Sequence, residues 1–89
     1  MKNKNKENQS LRWLNEALDE SLIKLTPEPW DILSTRFVTD GWAFKTEIVF
    51  MDGEREVPMV LDVYGKNRSD MRHIATMAVR KLLVDFPTE

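Results

Sequence analysis

Cysteine is absent from this 89-residue chain, histidine occurs once and glycine three times. Without cysteine there are no disulfides, no thiolate catalysis and no Cys-ligated zinc or iron. The lone His73 has no second His or Cys with which to share a metal, so it is expected to be a surface residue. Gly41, Gly53 and Gly65 stand far apart, so neither a G-x-S-x-G elbow nor a glycine-rich phosphate loop can be built around Ser10, Ser21, Ser34 or Ser69. Long apolar runs are missing too. No stretch approaches the roughly 20 apolar residues of a membrane-spanning helix, and residues 1–10 contain no apolar signal region. The resulting expectation is a cytoplasmic, non-enzymatic chain with no metal, no small-molecule cofactor and no membrane partner.

What the chain does contain is enough apolar material for one core. It is 42% hydrophobic, with three Trp, four Phe and one Tyr, and its length leaves room for a single domain. Residues 1–9 are polar after Met1 and are expected to form a disordered arm, with one α+β domain over 10–86.

From Ser10, a plausible N-cap, Leu11, Leu14, Leu18, Leu22 and Leu25 recur at three- and four-residue steps. That period predicts an amphipathic helix over 11–25, stopped by Thr26-Pro27-Glu28-Pro29. Residues 30–38 read as a first strand, and Asp40-Gly41 as a turn. In the second strand Trp42, Phe44, Thr46, Ile48 and Phe50 point to the core while Lys45 and Glu47 point away. Asp52-Gly53 predicts a type I′ hairpin into a third strand over 55–64, where Pro58 argues for an edge position. Gly65 ends the sheet, Asn67 or Ser69 caps a second helix, and Met71, Ile74, Ala75, Ala78 and Leu82 form its buried stripe before Pro87. The fold expected is α-β-β-β-α: a three-stranded antiparallel meander with two helices packed on one face.

Charge is segregated along the chain. Acids greatly outnumber bases over 7–62, whereas Lys66, Arg68, Arg72, Arg80 and Lys81 face only Asp70 over 66–81. Lys66, Arg68 and Arg72 gather where a helix N-terminus presents unpaired N–H groups, a combination that favours phosphate. Arg80 and Lys81 also complement the helix dipole at its other end. Glu16, Asp19 and Glu20 lie on the outer side of the first helix, where solvated charge is the ordinary role of a carboxylate.

Several short runs, together with this element order, resemble the double-stranded RNA-binding domain. Leu14-Asn15-Glu16 is similar to that family's first-helix Leu-Asn-Glu, and Pro29-Trp30-Asp31-Ile32-Leu33-Ser34 to its Pro-x-Tyr start of strand one. Phe44-Lys45-Thr46-Glu47-Ile48-Val49-Phe50 looks like its second strand, and residues 65–83 like its closing Gly, basic and Ala-rich helix. The resemblance implies that Arg68 and Arg72 stand for the family's phosphate-clamping lysines, with Asn15 and Glu16 facing a minor groove. Thr39-Asp40-Gly41-Trp42 replaces the family's Gly-Pro-x-His loop, and Ser69 stands where a basic residue is usual.

Two roles fit these observations. One is a binding protein contacting duplex RNA or DNA through Lys66, Arg68, Arg72 and Arg80, with Asn15 or Glu16 at the groove. The other is a protein-binding adaptor or inhibitor, acting alone or as a homodimer, that uses its acidic surface or an edge strand.

Overall fold

The computed structural model describes residues 2–26 and 30–86. Helix α1 (Lys2–Leu25) leads into strands β1 (Asp31–Asp40), β2 (Ala43–Asp52) and β3 (Arg55–Leu61), and helix α2 (Arg68–Asp85) closes the chain. The strands form one antiparallel sheet in the order β1-β2-β3, so the expected α-β-β-β-α meander is the fold and β2 is its centre.

The leucine stripe builds α1 as its spacing requires, with Leu14, Leu18 and Leu22 buried; Leu25, the last residue of that stripe, is exposed. The helix starts earlier than the sequence reading placed it. Residues 2–9, expected as a disordered arm, continue α1 from Lys2. Once the buried stripe has fixed a helical nucleus, each added residue needs no new nucleation, and Lys, Glu and Gln propagate it well. Ser10 is therefore no cap. It is buried within the helix, and its Oγ donates to the Lys66 carbonyl at 3.2 Å. The Pro27 to Pro29 stop and the Pro87 stop lie outside the described residues.

On the sheet, Ile48 and Phe50 of β2 sit opposite Met59 and Val57 of β3, and all four are buried. They meet Leu14 and Leu18 of α1 and Met71, Val79 and Leu82 of α2 in one core, which places both helices on the same sheet face. Full burial of a side chain such as Phe50 contributes roughly 1.5–3 kcal/mol. Thr46 is the buried polar member of that face, and its hydroxyl donates to the Val63 carbonyl at 2.9 Å. That bond keeps the chain against β2 after β3 has ended at Leu61, short of the expected 64.

Both hairpins close on two residues. Asp40 pairs with Ala43 and Asp52 with Arg55, leaving Gly41-Trp42 and Gly53-Glu54 as the turns. Gly41 and Gly53 have φ of 64° and 63°, and no other described residue has positive φ. This is the sign pattern of a II′ turn, with glycine first, rather than the expected I′ turn centred on Asp52-Gly53. The same shift takes Trp42 out of β2. Expected on the core face, it stands fully exposed at the hairpin tip. Trp30 departs in the opposite sense: expected to open β1, it precedes the strand and is buried edge-on to Phe50 and tilted against Phe86. A register slip between Ile32 and Ser34 leaves Leu33 as a bulge residue facing solvent. Pro58 lies on the outer strand β3, where a missing N–H is tolerated.

Candidate nucleic-acid interface

The start of α2 is fixed by its neighbours in the chain. Asn67 caps it, with its side-chain oxygen accepting from the Asp70 N–H at 2.8 Å, while the Asp70 carboxylate accepts from the Lys66 N–H at 3.2 Å. Gly65 is packed so closely beneath this turn that a Cβ there would sit 2.5 Å from Asp70 Cβ and 2.9 Å from Met71 Cε. Together with the Ser10 bond to the Lys66 carbonyl, these contacts hold residues 65–70 in one place.

The same contacts change how an anion could be met. The sequence reading offered phosphate the free N–H groups of the helix start, but one of those donors is taken by the Asn67 cap, and the Asp70 carboxylate, bonded to the Lys66 N–H, sets a negative charge at the same turn. Recognition there falls to side chains. Lys66, Arg68, Arg72 and Arg80 are all exposed, and none makes an ion pair among the described residues. Arg72 and Arg80 also line a groove of about 350 Å³ between the helices, together with Lys24 and Glu20 of α1. Thr76, between the two arginines, donates its hydroxyl back to the Arg72 carbonyl at 3.0 Å.

The sheet treats its cations differently. Arg36 Nε lies 2.6 Å from Glu47 Oε1, Lys45 Nζ 3.2 Å from Asp62 Oδ1 and Arg55 Nη2 3.1 Å from Asp52 Oδ2. The hydrogen bond that Arg36 donates to Glu47, reinforced by the carboxylate charge, holds the Arg36 pKa above the ordinary guanidinium value. The Arg55 guanidinium also stacks 4.7 Å over the Phe86 ring.

The two α1 residues expected at the interface do not converge with α2. Asn15 is exposed, and its Oδ1 accepts from Thr35 Oγ1 at 3.3 Å, on the flank of α1 that faces β1. The flank carrying Ala17, Glu20 and Lys24 faces α2 instead. Glu16 is exposed, as are Asp19 and Glu20. Lys24 was missed by the sequence reading, because only packing shows that it shares a groove with Arg72 and Arg80. His73 is exposed on α2, and no cluster of three His, Asp or Glu able to hold a metal occurs among the described residues.

No family model, no curated protein and no solved structure matches the chain. Among the described residues, no helix is long and apolar enough to cross a membrane.

Proposed function

We propose that this protein is a non-enzymatic, cytoplasmic nucleic-acid-binding domain that contacts duplex phosphates through Lys66, Arg68, Arg72 and Arg80. The observation that carries the reading is the contrast in charge pairing. Every cation of the sheet has a carboxylate partner, and these four have none among the described residues. Arg68 and Arg72 stand one helical turn apart, where like charges repel, and Arg68 occupies the first helical position, where positive charge opposes the macrodipole. The fold gains nothing electrostatically from Arg68 or Arg72, whereas an external polyanion would pair with them. The α-β-β-β-α order and the Leu14-Asn15-Glu16 and 65–83 runs add the resemblance to the double-stranded RNA-binding domain as support.

The test is duplex RNA and duplex DNA binding as a function of salt. Four phosphate contacts give a slope of log K against log salt of about −3.6, or roughly a 100-fold loss of affinity between about 50 and about 200 mM. No binding at the lower salt, or binding with a flat salt response, overturns the proposal.

The second reading is an adaptor for a basic protein partner, and it rests on Glu16, Asp19 and Glu20, exposed and without ion pairs among the described residues. Replacing these three with Gln separates the two. Such a variant loses a basic protein partner but binds a polyanion as well as or better than the parent.

A further inference from the structure

The helix-facing side of β2 is longer than the helices that cover it. Thr46, Ile48 and Phe50 on this side are fully buried, but Phe44, next along it, is 56% exposed and Trp42, just beyond, is 100% exposed. Phe37 of β1 sits opposite Thr46 on the same side. Tyr64 joins the two strands here, its ring 5.0 Å from Phe37 in a T-shaped contact and 5.2 Å from Phe44 at an interplanar angle of 33°. The Thr46 bond to the Val63 carbonyl anchors the backbone next to Tyr64. The rings of Phe37, Phe44 and Tyr64 therefore form a fixed shelf, partly open to solvent, with Trp42 at its rim.

Charge next to the shelf indicates what would occupy it. The chain runs from Tyr64 through Gly65 directly into Lys66 and Arg68, both exposed and without ion pairs among the described residues. Of the two acids flanking this segment in the chain, Asp62 pairs with Lys45 and Asp70 turns its carboxylate to the Lys66 N–H. Ser10 ties α1 to Lys66 at this same end. Exposed aromatic rings beside unpaired cations match the two ends of a nucleotide, a flat base for the rings and a phosphate for the cations. A paired base inside a helix has its faces covered by its neighbours, whereas an unpaired one presents a face for stacking.

We propose that the shelf of Phe37, Phe44 and Tyr64, with Trp42 at its rim, stacks unpaired nucleobases at the end of a duplex or in its loop, and that Lys66 and Arg68 hold the phosphates of those nucleotides. The inference rests on the phosphate-binding reading of α2 and assigns that site a preference for duplexes with a single-stranded extension.

The experiment compares three probes on the full chain by fluorescence anisotropy: a blunt RNA duplex, the same duplex with a single-stranded tail, and the tail alone. The tailed duplex is expected to bind about tenfold tighter than the blunt one. In Trp42→Ala and Phe44→Ala that ratio falls toward one, while Val60→Ala, on the opposite face of the sheet, keeps the ratio of the parent. Both shelf positions are exposed, so folding is not at stake, and circular dichroism verifies it. Blunt-duplex binding without any gain from the tail overturns the shelf and leaves the phosphate reading standing. Binding of the tail alone without binding of the blunt duplex supports the shelf and overturns the duplex reading. Binding of none of the probes, or a concentration-dependent dimer that Trp42→Ala abolishes, overturns the shelf as a nucleic-acid site.

Discussion

Arg36, Lys45 and Arg55 on the sheet each meet a carboxylate, whereas Lys66, Arg68, Arg72 and Arg80 around α2 meet none among the described residues. Both groups are formed by the same residue types, so composition alone would rank them equally. The difference comes from the register of the strands. Arg36 faces Glu47 directly across β1 and β2, and Asp52 faces Arg55 across the second turn, so these charges are consumed between neighbouring strands. On α2 the four-residue step from Arg68 to Arg72 places like beside like, and α1 offers the groove Glu20 together with Lys24. Positive charge on the sheet belongs to the fold, and positive charge on α2 is free to act outward.

This contrast can be broken most severely by replacing Arg68, Arg72 and Arg80 together with Glu. Duplex affinity at low salt is expected to fall by at least about 100-fold, with the circular dichroism spectrum unchanged. A triple variant that binds like the parent would leave the contrast without functional meaning. The next largest effect tests position rather than charge. Gly65→Ala forces a Cβ into the first turn of α2 and is expected to destabilise the fold by about 1–3 kcal/mol in urea unfolding, because the atom it meets is Asp70 Cβ rather than a flexible side-chain end. A neutral result would show that the Lys66 to Asp70 segment relaxes freely. A smaller and more telling effect is expected at Arg68. Arg68→Gln removes a like-charge pair and an unfavourable dipole contact, so stability should rise by about 0.5 kcal/mol while the salt slope of binding drops by about 0.9. Opposite signs in the two measurements are the signature of a residue kept for binding. The smallest effect belongs to Arg36→Ala, for which the salt slope should equal that of the parent; a slope reduced as in Arg68→Gln would erase the distinction between sheet and helix.

Much of this architecture could be read directly from the residues. The period of Leu11 to Leu22 located α1, the alternation around Ile48 gave the core face of β2, and Pro58 marked β3 as an edge. What escaped was everything decided by where one layer ends over another. The alternation in β2 continues through Phe44 to Trp42 without a break, and nothing in it reveals that the helices stop covering the sheet beyond Thr46. A strand pattern records which face a residue takes, while burial also needs a partner above that face. Ser10 looked like a helix start because it precedes the first leucine, but its hydroxyl is used by a carbonyl 56 residues away, a contact that no local rule anticipates. The turns shifted for a similar reason: glycine was correctly tied to positive φ, but which two residues sit at the centre depends on how the flanking strands pair. At the candidate interface, the basic run of α2 was visible in composition, and its lack of carboxylate partners was not.

With the third, half-buried tryptophan replaced (Trp13→Phe), the two tryptophans that departed from expectation in opposite directions make the chain its own two-channel optical sensor. Trp30, 7% exposed with its indole N–H buried and unbonded, reports on the integrity of the core, and Trp42, wholly in solvent, reports on what touches the hairpin tip. A soluble quencher silences the second emitter long before the first. A ligand on the shelf would alter the long-wavelength component alone, and unfolding would shift the short-wavelength one, so binding and stability can be followed in a single cuvette without a label.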